Sequence, residues 1–225
     1  MLAVSQLHGF NIAGRVTRSF CATASSGANA SSYTFSGHSI GSAATDRIVV
    51  AAVSWTAFAD GVTTSGVTID GITATAIAVG NSDTGATASR ESSLWAARVP
   101  AGTTADVVVT LSASGIRCGI ATYAIYGARQ LTPFATSTDT DDSNPATLSV
   151  VTPFGGVFIG TSMANDTSTA VTTGATEDSD FQVGAETQGM TTFSLQALTT
   201  QTVATSSTWS GAAPDRFCAA GASWV

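Results

Sequence analysis

Hydrophobic and polar positions along this chain alternate in the short period of a pleated strand, and no window of ten residues carries the 3.6-residue period of an amphipathic helix. Thr192-Phe193-Ser194-Leu195-Gln196-Ala197 is the cleanest case: Phe193, Leu195 and Ala197 share one face and the other face is polar, as in a half-buried strand. Ile48-Val49-Val50-Ala51-Ala52-Val53 is apolar at every position, the pattern of a central strand covered on both faces. Further strands are predicted at 33–35, 47–55, 67–69, 73–78, 93–99, 106–111 and 116–126, then at 147–152, 157–162, 202–209 and 216–224. Turn signals separate them, among them Ser65-Gly66, Pro100-Ala101-Gly102 and Asp70-Gly71, the last a hairpin signal between two β-prone runs.

The pattern also repeats. Leu94-Trp95-Ala96, Val107-Val108-Val109 and Arg117-Cys118-Gly119-Ile120-Ala121-Thr122-Tyr123 have a faint echo in Phe193-Ser194-Leu195, Val203-Ala204-Thr205 and 216–224, which places Cys118 and Cys218 100 positions apart. That interval is close to one β-sandwich. The chain is therefore expected to be all-β, with two tandem antiparallel β-sandwich modules of jelly-roll or immunoglobulin-like type at 31–130 and 131–225. An N-terminal arm, residues 1–30, is expected to lie against its own sandwich or a neighbouring subunit. The acidic, proline-containing stretch 138–145 reads as the junction between modules.

Composition narrows the partners. Charged residues make up 10% of the chain, against the roughly 25% usual for soluble domains, so threonine, serine and asparagine are expected to solubilise the strands. There is no lysine, and eight arginines face fifteen carboxylates for a net charge of −7. Clustered cations for a nucleic-acid backbone are missing, so no nucleic-acid partner is expected. The first eight residues carry neither a basic n-region nor an apolar h-region, and 48–53 is too short to span a bilayer. A soluble cytoplasmic product without a membrane partner is expected. Cys21, Cys118 and Cys218 show no metal-type spacing, and Cys118 and Cys218 read as small buried hydrophobes.

Candidate chemistry is sparse. Gly37-His38-Ser39-Ile40-Gly41 matches a G-x-S-x-G nucleophile elbow, but a β run follows it instead of a helix, and the only histidines are His8 and His38, so none follows Ser39 as its base. Asp139, Asp141 and Ser143 are spaced like the first ligands of a calcium loop, yet Asn144 stands where glycine is required and Val150 where the closing glutamate should be. Glu177-Asp178-Ser179-Asp180 is a second acidic cluster and reads as solvated. Glu91, Asp106, Glu177 and Glu186 carry no pattern of a paired-carboxylate glycosidase. A P-loop needs a lysine that the chain lacks. Among the tryptophans, Trp95 and Trp224 read as core, whereas Trp55 and Trp209 precede loop-like composition and are candidates for stacking on a glycan. No catalytic residue, metal site or cofactor is expected.

The run Ser32-Tyr33-Thr34-Phe35-Ser36-Gly37-His38-Ser39-Ile40-Gly41, with Thr45-Asp46-Arg47-Ile48-Val49-Val50 and 67–75, resembles β-sandwich virion proteins of tailed bacteriophages. These are accessory head or tail components, found mostly in phages of high-GC bacteria. Ser93-Leu94-Trp95, Val99-Pro100-Ala101-Gly102-Thr103-Thr104 and Tyr123-Ala124-Ile125-Tyr126-Gly127-Ala128 carry the resemblance further, across 32–128 and faintly beyond. It implies a non-enzymatic structural role: a capsid decoration or cement protein in the virion, homo-oligomeric and bound to the major capsid protein or other virion proteins. A tail or fibre component, or a carbohydrate- or receptor-binding module, is the alternative. These phrases are turns and core positions, so no functional residue is transferred.

Overall fold

A computed structural model describes residues 15–83, 88–141, 143–165, 169–184, 188–210 and 216–225. The described residues form seventeen strands and no helix. In the first module these are β1 (Thr17–Ser26), β2 (Ala30–Ser39), β3 (Ile48–Ala57), β4 (Thr64–Ile69), β5 (Ile72–Thr73), β6 (Thr75–Asp83), β7 (Ser89–Arg98), β8 (Thr104–Gly115) and β9 (Arg117–Tyr126). The second module contains β10 (Ala135–Asp139), β11 (Ala146–Thr152), β12 (Val157–Ala164), β13 (Thr169–Thr173), β14 (Thr176–Gln182), β15 (Gly189–Gln196), β16 (Gln201–Ser210) and β17 (Phe217–Trp224).

Four antiparallel sheets pair into two sandwiches. The first joins the sheet β1-β9-β3-β7-β6 to β2-β8-β4-β5, and the second joins β10-β17-β12-β15-β14 to β11-β16-β13. The two large sheets have the same strand order, so the chain is a structural duplication. Most successive strands cross from one sheet to the other, the hairpins β4–β5, β6–β7 and β14–β15 excepted, which is jelly-roll rather than immunoglobulin connectivity.

The duplication holds strand for strand in the two large sheets, but not residue for residue. Cys118 packs in the first sandwich's core with Trp55 and Ile120. On β17, Phe217 and Ala219 face the second sandwich's core, while Ala220, Ala222 and Trp224 face the other module. Alternation then points Cys218 toward that inter-module side. The cysteine match is thus out of phase by one residue, and such a slip exchanges the two faces of a strand.

The two five-stranded sheets pack against each other, giving four layers. Ile48, Val50, Leu94, Tyr123 and Ile125 meet Val157, Ile159, Met190, Ala222 and Trp224 in one core cluster. β3, β12 and β17 are consequently buried at every position. Farther along the same interface the contacts turn polar: Ser92 Oγ donates to Thr161 Oγ1 at 3.4 Å and Thr56 Oγ1 to Gln188 Oε1 at 2.7 Å. Much of the serine and threonine expected to face water is therefore interior, including Ser54, Ser92, Thr161, Thr191 and Thr192.

The expected arm divides. Residues 1–14 lie outside the described residues, while Thr17–Ser26 is the edge strand β1, paired with β9. Its polar side chains gave no strand pattern because one of its edges is unpaired and its face is only half covered. The chain crosses between modules at 127–134, and the acidic stretch 138–145 is the β10–β11 turn, inside the second module.

Candidate functional site

Both tryptophans considered for glycan stacking are buried, at 0% exposure for Trp55 and 3% for Trp209. A stacking platform needs an open ring face, so neither forms one. Trp55 lies on the core face of β3, where its Nε1 donates to Thr64 Oγ1 at 2.8 Å. Trp209 closes the second core, with Nε1 donating to Ser162 Oγ at 3.2 Å. The loop-like residues after each had suggested exposure; the inward phase of the strand decides otherwise.

Trp55 belongs to a buried polar network. Glu91, 1% exposed, accepts from Thr64 Oγ1 at 2.7 Å, Ser93 Oγ at 2.6 Å and the Thr64 amide at 3.3 Å. Trp95 Nε1 in turn donates to Ser93 Oγ at 3.0 Å. One carboxylate thus orients two hydroxyls, and each hydroxyl accepts an indole N–H. Burial, with the Glu91 charge nearby, pushes the Cys118 thiol well up, which suppresses its nucleophilic thiolate.

Arg47 is fully buried and donates to four backbone carbonyls: Nε to Val99 at 2.7 Å, Nη1 to Gly41 at 2.7 Å and Gly102 at 2.9 Å, and Nη2 to Ala101 at 2.6 Å. It ties the β2–β3 loop to the Pro100-Ala101-Gly102 turn. This explains structurally why those phrases occur together in the sequence.

Ser39 ends β2, and its carbonyl accepts from Thr122 Oγ1 at 2.7 Å. The chain continues through a loop into β3, so the strand–turn–helix geometry of an elbow is not formed. Gly37 sits at φ +62° within the β2–β8 bulge, its N–H held by Asp106 Oδ1 at 2.9 Å, and that bulge is what the glycine provides. His38 is buried, and desolvation lowers its pKa.

The acidic clusters hold the fold together. The outer strands of the three-stranded sheet point alternate N–H groups away from β16, and side chains of the neighbouring sheet meet them on both sides. On β11, Thr147 N–H donates to Asp139 Oδ2 at 2.5 Å and Ser149 N–H to Ser137 Oγ at 3.2 Å. On β13, Ala170 N–H donates to Asp180 Oδ2 and Thr172 N–H to Glu177 Oε2, both at 3.0 Å. Burial raises the Asp180 pKa against the pull of the Ala170 amide. Asp178 is the extra residue of the β14 bulge, and its Oδ2 accepts from Ser194 Oγ and, across the modules, from Tyr123 Oη at 2.9 Å. Burial, then the Asp178 charge, drives the Tyr123 phenol well above its usual range.

Asp141 Oδ1 accepts from the Ser143 amide at 2.9 Å and hydroxyl at 2.6 Å, bonds that lower its pKa, so the calcium-like spacing serves a turn. Among the described residues no three His, Cys, Asp or Glu side chains converge as metal ligands. Glu91, Asp106 and Glu177 each bond a different local partner, and Glu186 lies outside the described residues. An open groove of ≈ 570 Å³ runs between β10 and β11, lined by Ser137, Asp139, Thr147, Ser149 and Ser206 among others. Its carboxylates are already engaged in the edge and turn bonds just described.

The surface feature missed in sequence is apolar. Phe134, Val151, Phe154 and Leu198 are exposed by 54, 43, 67 and 66%. Phe134, Phe154 and Leu198 sit on turns and Val151 near the end of β11: Phe154 N–H donates to Thr200 Oγ1 and Gly155 N–H to Ala197 O, while Phe134 N–H donates to Ser223 O and Ser223 Oγ to Val151 O. Phe134, Phe154 and Leu198 lie in turn composition, where periodicity had no purchase, and Val151 is on the outward face of β11.

No family model matches the chain, and no curated protein matches it. Among solved structures, an anti-sigma factor domain-containing protein aligns over 88% of this chain and 84% of its own at 10% identity and a TM-score of 0.22, a likeness too slight to carry any argument.

Proposed function

We propose that the chain is a structural protein of a tailed-phage particle, a capsid decoration or cement protein acting through contacts with the major capsid protein, other virion proteins and copies of itself. The observation that supports this most is the division of the surface chemistry. Asp139, Glu177, Asp178 and Asp180 are engaged in holding strands and modules, while one end of the body presents Phe134, Val151, Phe154 and Leu198 to solvent. Apolar side chains clustered at one end suit protein docking. Jelly rolls recur in viral capsid and lectin domains, an association of architecture alone.

Such a protein stabilises a shell by binding the assembled state, by an amount that grows with the ratio of its concentration to Kd. Co-sedimentation with purified phage shells lacking it tests this. The intact chain should pellet with shells and raise their rupture temperature, and Phe154→Ser with Leu198→Ser should lower occupancy at least tenfold. No binding to shells, or binding indifferent to those substitutions, would overturn it.

A further inference from the structure

We propose that Thr56 and Gln188 join in an intramolecular ester that ties the first module to the second. This goes beyond the proposed phage role and does not depend on it. Thr56, near the end of β3, is 5% exposed, and Gln188, just before β15, is 0% exposed. Their side chains meet across the module boundary, 132 positions apart in the chain, with Thr56 Oγ1 donating to Gln188 Oε1 at 2.7 Å. Because Cδ lies one carbonyl bond of about 1.23 Å from Oε1, Thr56 Oγ1 is held within about 3.9 Å of it. The terminal torsion of a glutamine is soft, so a turn of the amide plane brings the two atoms to the roughly 3–3.5 Å of a near-attack geometry. The chain has no lysine, so the side-chain amine of an isopeptide cross-link is lacking and the hydroxyl is the nucleophile placed to act.

The far side of the same amide favours the reaction. Gln188 Nε2 is buried and has no hydrogen-bond partner among the described residues. A buried donor left unpaired destabilises the fold, and expelling this one as ammonia removes that penalty. In the step, Oγ1 bonds to Cδ while the hydroxyl proton passes to Oε1 along the hydrogen bond that already joins them. Collapse of the tetrahedral adduct re-forms the carbonyl, breaks the Cδ–Nε2 bond and delivers that proton to the departing nitrogen. One ammonia leaves, and no oxidant or second reactant is consumed. Arg90 and Arg117 stand directly opposite Thr56 on β7 and β9 and so share its face of the sheet. Two cations on that face favour the negative charge that builds on Oε1 as the new bond forms. Burial then keeps water from the ester.

Intact-mass spectrometry of the purified full chain, held folded for a prolonged period beforehand, tests this. The mass should lie about 17 Da below that of the sequence, the loss of one ammonia on forming the covalent bond. Trypsin, cutting after arginine, should release 48–90 and 130–216 as one linked species, and hydroxylamine, which cleaves esters and spares ordinary amides, should part them. Thr56→Val, similar in volume but without the hydroxyl, should restore the full mass and give separate peptides, whereas Thr56→Ser should keep the deficit. A full chain at the sequence mass would overturn the inference, as would a deficit that survives Thr56→Val or a linkage mapped to other residues. The mass and the peptide map of the unmutated chain decide the matter even where Thr56→Val fails to fold. Shells are absent from the assay, so its failure and failure of the capsid role are separable.

Discussion

Replacing Glu91 with alanine should be among the most damaging single changes in the first module. The substitution strands three donors at once: the buried Ser93 Oγ, and the half-buried Thr64 Oγ1 and Thr64 amide. Each buried group left unpaired costs about 1–3 kcal/mol. Relief from burying a carboxylate offsets part of that, and the partners left behind are neutral and two of them half-buried, so the net loss should be about 2–4 kcal/mol. For a chain of this size that lowers Tm by about 4–16 °C.

Thermal unfolding followed by tryptophan emission reads the effect directly, because Trp55 and Trp95 hang on the two hydroxyls that Glu91 orients. Glu91→Gln should fall between wild type and alanine: its carbonyl can still accept both hydroxyls, but its amide faces the Thr64 N–H. Ser93→Ala should cost less in the Glu91→Ala background than alone, with a coupling of about 0.5–3 kcal/mol. A Glu91→Ala protein melting within about 2 °C of wild type would show that the network does not hold the core, and would refute the reasoning.

Three further changes probe other parts of the fold. His38 has a folded-state pKa lowered by desolvation, so above the unfolded value of about 6.5 its contribution is complete, and stability falls as pH drops from there through the folded pKa; His38→Gln should flatten that part of a urea-midpoint-versus-pH curve, and an unchanged slope would contradict it. Gly80 lies where an added Cβ would stand 2.3 Å from Ala219 O of the other module, so Gly80→Ala should cost about 1–3 kcal/mol in urea unfolding, and a neutral result would mean that the sheets are not packed this closely. Removing both caps of β13 with Glu177→Ala and Asp180→Ala bares the Ala170 and Thr172 amides on an edge strand, which should speed aggregation measured by light scattering; unchanged kinetics would mean that those carboxylates do not protect the edge.

The sequence alone determined the all-β class, the duplication, and the central strands, because a strand buried on one or both faces writes its burial into a period of two or an unbroken apolar run, as 192–197 and 48–53 do. It did not reveal β1, β10, β13 or β14, the edge or minor-sheet strands whose Ser, Thr and Asp side chains carry no such periodicity. The failure of the calcium-like and elbow patterns was legible, since each lacked a required residue. What took the place of chemistry there was not: Asp139 reaching Thr147, Asp178 bridging to Tyr123 and Glu91 reaching Trp55 through Thr64 depend on partners 8 to 55 positions away. Tertiary structure also decided the burial of Trp55 and Trp209 and the phase between Cys118 and Cys218. A one-residue offset barely alters a repeat read along the chain, yet in a pleated strand it exchanges core for interface. The packing of two large sheets face to face, which hides serine and threonine that composition places at the surface, is a property of the assembled layers and is written in no local segment.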